Sequence, residues 1–439
     1  MNMNSTLAVY IAVRDRIINK EYWPGYHIVE TSLANEFKLS RSPIRNALKQ
    51  LDEDGFLMHS PGKGFFVSAD KKSYTVLHEI RKGMDSAAAM LIAQRCSLHD
   101  IDRLSELAVK ADAVENEDRI ISDKMFHDEL VRLSGSQLLG EFNAYLTPLV
   151  TYSRYLQAMP SCENRKGIIN SHILICDCIK GAMLLHTPTL AEQGVQLHYA
   201  CGEKLYSLND ECMEGECEND MAFGEYFISD DIKDLFAKKT EIIYQNLFND
   251  IISGQLMAGD RVNESQLAGK LGCSRVTVRT AVQKLEKDGY VKIVQNKGAI
   301  VQGINPENHS DLIWARYAIE PVASQLCAKN MTATEKKRMF NIIKRGRDAY
   351  KAGDYWESLI FDTELHNHIV KCCGNAHVKR LYEMIAKRTH YERCLLRDAH
   401  TNDAAVWPEH NLICRAINDG NDEAAYLTMQ THIKRIYGV

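Results

Sequence analysis

Two short stretches set a carboxylate and an imidazole four residues apart: Asp123-Lys124-Met125-Phe126-His127 and Asp362-Thr363-Glu364-Leu365-His366. On a helix that spacing puts both side chains on one face. Two further histidines follow each pair, His172 and His198 in the first case, His410 and His432 in the second. Three histidines and an aspartate converging in a helical bundle form a ligand set for a divalent transition metal such as zinc, nickel or manganese. Water or a small effector fills the remaining positions. A single Asp-x-x-x-His means little in a chain with 16 histidines; the recurrence of the whole set carries the reading. The interval from His172 to His198 is longer than that from His410 to His432, and the Leu184-Leu185-His186-Thr187-Pro188 loop lies within it. His186 therefore competes with His198.

A second chemistry is carried by paired arginines. Arg41 and Arg45 open the stretch Arg41-Ser42-Pro43-Ile44-Arg45-Asn46-Ala47-Leu48, and Arg275 and Arg279 open Arg275-Val276-Thr277-Val278-Arg279-Thr280-Ala281-Val282. In each, apolar residues at i, i+3, i+4 and i+7 (Ile44, Ala47, Leu48, Leu51; Val278, Ala281, Val282, Leu285) predict one buried helix face, with the arginines off it. Ser40 and Ser274 stand where a helix cap is expected, and Pro43 falls in the first turn. A short helix that buries its back and presents two guanidinium groups at its N-terminal end has the geometry of a recognition helix in the DNA major groove. Each such arginine can contact guanine bidentately, worth ~1–3 kcal/mol of discrimination.

The elements that must position these groups occur twice. Leu7 to Asn19 has helical periodicity and Trp23-Pro24-Gly25 breaks it. Ser32 to Phe37 reads as a second helix, the arginine-bearing helix follows, and Phe56 to His59 with Gly64 to Val67 reads as a two-stranded wing. A glycine and a lysine at its tip, Lys63-Gly64, let backbone approach phosphate closely. Tyr74 to about Tyr206 is helical almost throughout, a bundle of six or seven helices. Asn209 to Asp220 is acidic, poor in aliphatic residues and patternless, hence a linker. The plan then repeats: a first helix from Lys238 to Ser253, a capping-box signal at Asn263-Glu264-Ser265-Gln266, the second recognition helix, a wing tip at Asn296-Lys297-Gly298, and helices from Ser310 to Tyr437. Ser40 to Ser274 and Gly64 to Gly298 are both 234 residues apart, so the chain is an internal duplication. The expected organisation is mainly α. A winged helix-turn-helix (1–70) and an all-helical domain (71–207) are followed by a linker (208–232), a second winged helix-turn-helix (233–304) and a second all-helical domain (305–439).

The 439 residues exceed what one core accommodates. A hydrophobic fraction of 45% and a charged fraction of 25% are those of a water-soluble globular protein. With a net charge of −5, any nucleic-acid surface must be local. The 13 cysteines show no framework spacing, no signal peptide opens the sequence, and no stretch approaches a membrane span, which together indicate a reducing cytoplasm. Cys372-Cys373 and Cys176-x-Cys178 read as small core residues.

Pro24-Gly25, Leu33-Ala34 with Leu267-Ala268, Ser-Arg-x-x-[Ile/Val]-Arg, Asp-Gly-[Phe/Tyr] and the Lys-Gly wing resemble the GntR family of bacterial transcription regulators. The helical parts resemble the effector domain, FCD, of its FadR-type branch. The resemblance covers nearly the whole chain, twice over, where relatives usually carry one unit and bind DNA as homodimers. It implies DNA contacts from Arg41, Arg45 and Gly64 in the first half and from Arg261, Arg275, Arg279 and Gly298 in the second. His27 stands in the place of Arg261. Leu7 to Ser68 holds eight Lys and Arg against seven Asp and Glu, Lys238 to Gln302 ten against six, so the second head is expected to dominate non-specific affinity. The resemblance also implies metal ligation by Asp123, His127, His172 and His198 and by Asp362, His366, His410 and His432. Arg81 and Arg316 are each followed four residues later by an acid (Asp85, Glu320), a spacing that ordinarily makes a helix pair. In the resembling family an arginine on this helix can face a small-carboxylate effector. The implied partners are a double-stranded DNA operator, a carboxylate effector, and either a second chain or the other half of the same chain. The expected function is a sequence-specific regulator, with a repressor the commoner sign and no enzymatic activity. The alternative is a metal-dependent enzyme of the helical domains with the winged helices as accessories.

Overall fold

The computed structural model describes residues 5–68, 73–113, 117–158, 171–210, 232–252, 255–271, 273–294, 298–303, 306–395 and 405–437. The first winged helix comprises α1 (Ser5–Ile18), β1 (His27–Ile28), α2 (Glu30–Phe37), α3 (Arg41–Glu53), β2 (Leu57–Ser60) and β3 (Gly64–Val67). Ile44, Ala47, Leu48 and Leu51 are the buried face of α3. The sheet runs β1-β3-β2, antiparallel, with Leu57 opposite Val67 and His27 opposite Phe66. The two-residue β1 is too short to carry an alternation and is not legible in the sequence. Ser40 occupies the N-cap position of α3, but its side chain accepts no cap hydrogen bond. The reason is Pro43 at N3, which has no N–H to give. In the second copy Thr277 stands there, and its N–H donates to Ser274 Oγ at 3.1 Å.

The second head repeats the plan in α10 (Ile232–Ile252), β4 (Arg261–Val262), α11 (Glu264–Lys270), α12 (Arg275–Lys287), β5 (Val291–Val294) and β6 (Gly298–Val301), with sheet order β4-β6-β5. Asn263 caps α11 by accepting from Ser265 N and Gln266 N. In both heads a tyrosine of the first helix donates to the aspartate that ends the recognition helix at 2.6 Å, Tyr10 to Asp54 and Tyr244 to Asp288. The wing tip at 296–297 and most of the linker lie outside the described residues.

Each head is followed by six helices among the described residues. The first bundle is α4 (Ser73–Arg95), α5 (Asp102–Ala113), α6 (Glu117–Leu133), α7 (Gln137–Ala158), α8 (Ser171–Leu185) and α9 (Pro188–Asp210). The second is α13 (Pro306–Asn330), α14 (Ala333–Lys351), α15 (Tyr355–Cys372), α16 (Ala376–Leu395), α17 (Val406–Asn418) and α18 (Asp422–Tyr437). The bundles meet along α4 and α13, and one apolar core runs through the first head and both bundles. The second head has a core of its own, entered from the bundle by Tyr391. Tyr152 of α7 and Tyr391 of α16 donate to the carbonyls of Ser68 and Gln302, just past the last strand of each head.

The first head is also held from the second bundle. Arg380 of α16 donates to Asp54 at 2.5 Å, and His377 Nδ1 lies 2.8 Å from the Tyr145 hydroxyl. Burial, aided by the Arg380 charge, lowers the His377 pKa to about 4. The unfolded chain has the ordinary value near ~6.5 and binds the proton more tightly. Stability contributed here is therefore full above ~6.5 and lost as pH falls toward 4, by up to about 3 kcal/mol. Denaturant unfolding at pH 7.5 and pH 5 should show a smaller pH dependence in His377→Gln than in the parent.

Candidate metal centres and nucleic-acid interface

Helix α15 carries Asp362 and His366 one turn apart, and α17 and α18 bring His410 and His432 against them. His366 Nε2 lies 3.3 Å and His432 Nε2 3.1 Å from His410 Nε2. Asp362 Oδ1 lies 3.2 Å from His410 Nε2 and 3.9 Å from His366 Nε2. All three imidazoles are buried. The opposite ring nitrogens are committed: His366 Nδ1 donates to Glu320 at 2.6 Å and His432 Nδ1 to Glu409 at 2.8 Å. With Nδ1 carrying the proton, Nε2 presents a lone pair to the centre. Several lone pairs and a carboxylate oxygen aimed at one point call for a cation, and carboxylates behind the imidazoles are the usual support of a metal site.

The supporting acids are themselves held. Arg316 donates to Glu320 through Nε at 2.5 Å and Nη2 at 3.1 Å. Burial alone would raise the Glu320 pKa; the Arg316 guanidinium and His366 outweigh it and keep the carboxyl well below its ordinary range. Arg435 donates to Glu409 in the same way, Nη2 at 2.9 Å. Arg316 is fully buried. It holds Glu320 against His366 from behind the ligands.

The first centre repeats this with other second-layer residues. Asp123 and His127 lie on α6, His172 on α8 and His198 on α9, and the donor atoms of the three histidines fall within 4.8 Å of one another. His172 Nε2 is 3.3 Å from Asp123 Oδ1, and His127 Nε2 is 3.7 Å from Asp123 Oδ2. His186 is exposed on a turn with φ +52° and takes no part. His127 Nδ1 lies 2.8 Å from Asp85 and His172 Nδ1 2.6 Å from Asp112. Asp112 also accepts from the backbone N–H of His172 and Ile173, fixing the start of α8.

Beside the first centre is a small cleft lined by Arg81, Asp123, Lys124, His127, Thr147, Thr151 and Arg154. Arg154 pairs with Asp123, Lys124 with Asp128 at 2.7 Å, and Arg81 with Asp85 at 3.2 Å, while Arg81 Nη1 also donates to Asn143 and Thr147. Arg81, itself buried, is among the residues that line this cleft. Asp112 and Arg154 have no short spacing in the sequence that ties them to the ligands, whereas Lys124 and Glu409 adjoin Asp123 and His410 and Arg435 stands three residues after His432. For Arg154 the repeat holds a signal, since Arg393 stands at the equivalent place; its side chain lies outside the described residues.

The arginines expected to contact DNA are exposed. Arg41 and Arg45 project from the start of α3, Arg45 with its Nε 3.5 Å from Glu30, and Arg275 and Arg279 project from the start of α12, Arg275 donating to Ser265. Gly64 (φ +93°) and Gly298 (φ +80°) adopt a backbone that L side chains avoid. A Cβ at Gly298 would lie 3.3 Å from Arg261 Nε, and one at Gly64 3.1 Å from His27 Nε2. Each wing glycine thus makes room for the basic residue beside it, which is histidine in one head and arginine in the other. His27 is further stacked on Phe66, ring centroids 4.8 Å apart.

The model of the bacterial regulatory proteins of the gntR family matches residues 5–67 and 239–301, and that of the FCD domain matches residues 76–183 and 311–435. The chain belongs to the GntR family. The HTH-type transcriptional regulator YdhC of Bacillus subtilis (strain 168) is 26% identical over 190 residues, 43% of this chain and 85% of its own. The histidine utilization repressor of Pseudomonas putida is 31% identical over 128 residues, 28% of this chain and 50% of its own. A solved structure of a GntR transcriptional regulator from Rhodococcus sp. RHA1 is similar at 22% identity with a TM-score of 0.41, covering 46% of this chain and 96% of that one. This GntR chain holds the DNA-binding and FCD domains twice. No described helix is long and apolar enough to cross a membrane.

Proposed function

We propose that the chain is a cytoplasmic repressor that reads a two-part operator with both heads and answers to a small carboxylate bound beside a divalent transition metal. One observation carries this reading: the helix that walls the first cleft is the helix that holds the first head. Thr147, Thr151 and Arg154 face the cleft from α7, and Tyr152 of the same helix donates to Ser68. In the second bundle Tyr391 makes the same bond to Gln302.

Asp123, His127, His172 and His198 hold one metal, and Asp362, His366, His410 and His432 the other. A bound metal supplies a Lewis-acidic anchor for a carboxylate oxygen. Arg81, Arg154 and Lys124 orient that carboxylate, bidentate pairing to guanidinium being the strong geometry. Each cation already has a carboxylate partner, so an anionic ligand competes with Asp123 for Arg154. Arg154 and Tyr152 lie on the same helix, so a shift of α7 that accompanies this exchange changes the angle of the head. Two heads on fixed bundles match one half-site spacing; tilting one lowers affinity for that spacing.

Selection of bound sites from random DNA by the purified chain, repeated with organic and sugar acids present, tests this. Enrichment of a bipartite sequence that one of the acids weakens is the expected result. Absence of any enriched sequence with metal bound would overturn the reading in favour of a metal-dependent enzyme.

A further inference from the structure

The bundles meet at α4 and α13, and the registers set by Arg81 and Arg316, Asp123 and Asp362, and His198 and His432 state which residues of the two halves are equivalent. Gly83 meets its own equivalent, Ala318. A Cβ at Gly83 would lie 2.7 Å from the Ala318 carbonyl oxygen and 3.1 Å from its Cα. Around this crossing the contacts are not symmetric. Glu192 of the first bundle is buried and accepts from Tyr317, from Gln430 at 3.1 Å and from Lys434 at 2.5 Å, all of the second. The equivalent of Glu192 in the second bundle is Tyr426. Asp54 of the first head, also buried, receives Arg380 from the second bundle; the equivalent of Arg380 in the first is Glu141. Asp311 accepts from the backbone N–H of Gln137 at 3.0 Å; the equivalent of Asp311 is Val76.

We infer that this surface is a heterotypic interface, on which the first unit fits the second and neither fits a copy of itself. If two second units met in this geometry, Ala318 would face Ala318 where only glycine fits. Lys434 would then face Tyr426 and lose its carboxylate. If two first units met, Glu192 could still find Lys82, but the buried Asp54 would face Glu141 instead of Arg380, and Gln137 N would face Val76. A carboxylate buried without its cation and set against another acid disfavours that pairing strongly. The features that block self-pairing are features the repeat does not share, so they accompany divergence after duplication. The inference rests on the contacts and registers alone, independently of metal or DNA.

The test uses the whole chain with a protease site placed between residues 215 and 220. After cleavage, isotope-labelled and unlabelled preparations are mixed and weighed by native mass spectrometry. Only complexes of one first and one second fragment are expected, in every labelling combination that exchange permits. Gly83→Ala should loosen the cleaved pair at least tenfold. This change favours the helix itself, so the loss reads the crossing and not the fold of α4. Arg380→Glu should also loosen it at least tenfold, and Arg380→Lys should largely retain it. Dimers of like fragments, or no loosening in Gly83→Ala and Arg380→Glu, would overturn the inference.

Discussion

Replacing His410 with alanine is expected to cut bound metal from two equivalents per chain to one and to abolish the chelator sensitivity of the second bundle. His410 Nε2 is the donor nearest to all the others in that centre, at 3.1 to 3.3 Å, so its loss opens the site more than removal of any outer residue. Substituting an outer support such as Glu320→Gln should weaken metal by ~10–100-fold, the usual scale for the residue behind a ligating histidine. Metal bound at ~1,000 times its dissociation constant stabilises the folded chain by about 4 kcal/mol. Chelation should therefore lower the melting temperature of the parent in two contributions and that of His410→Ala in one. Plasma emission analysis of metal content and melting with and without chelator read this directly. Metal content unchanged in His410→Ala would remove the second centre from consideration. Because the ligands bind as neutral imidazoles, affinity should fall with acid. Burial holds the His127 and His198 pKa values below the ordinary imidazole range, so at the first centre the fall should come at a lower pH than for free imidazole.

Arg275→Ala with Arg279→Ala should abolish recognition of one half-site. Two base contacts at ~1–3 kcal/mol each amount to ~2–6 kcal/mol, roughly 30-fold to 10⁴-fold in specific affinity. Arg41→Ala with Arg45→Ala should erase the other half-site and leave the first intact, which footprinting on one operator resolves. The heads should also differ in salt dependence. Arg261→His copies the first head into the second and should reduce the slope of log affinity against log salt by about 1. Equal affinity of the parent and the Arg275/Arg279 double variant for the selected operator would show that α12 does not read bases.

The repeat made much of this legible in the sequence. The buried faces of α3 and α12 are the positions that the i, i+3, i+4, i+7 pattern marks, because a single amphipathic helix on a small core has one way to face. Asp123 with His127 and Asp362 with His366 needed only helical spacing to share a face. The remaining ligands and supports come from separate helices, and their convergence is a property of bundle packing that no local period encodes. Asp112 on α5 and Arg154 on α7 are of this kind. Arg316 shows the same limit in another form: its i+4 partner is evident, while its complete burial behind His366 depends on the neighbouring helices. The cap at Ser40 fails for a local reason, the imide nitrogen of Pro43, that residue-type preference at a single position does not register.

Helix α16 is 20 residues long, about 30 Å. Its first turns hold His377 and Arg380 against Tyr145 and Asp54, its last turns hold Tyr391 against the second head, and Tyr382 between them donates to Asn367 of the metal-bearing α15 at 2.9 Å. Helix α7 carries Tyr145 and Tyr152 to the first head and, among the described residues, makes no corresponding bond to the second. The wiring of inputs to outputs is therefore unequal. On the proposed function, an event at the second bundle would reach both heads through one rod, and an event at the first would reach one. Saturating the second site should reset the spacing of the pair as a whole, whereas saturating the first should only trim it. On that function the two centres would act as a coarse control and a fine control on the same operator.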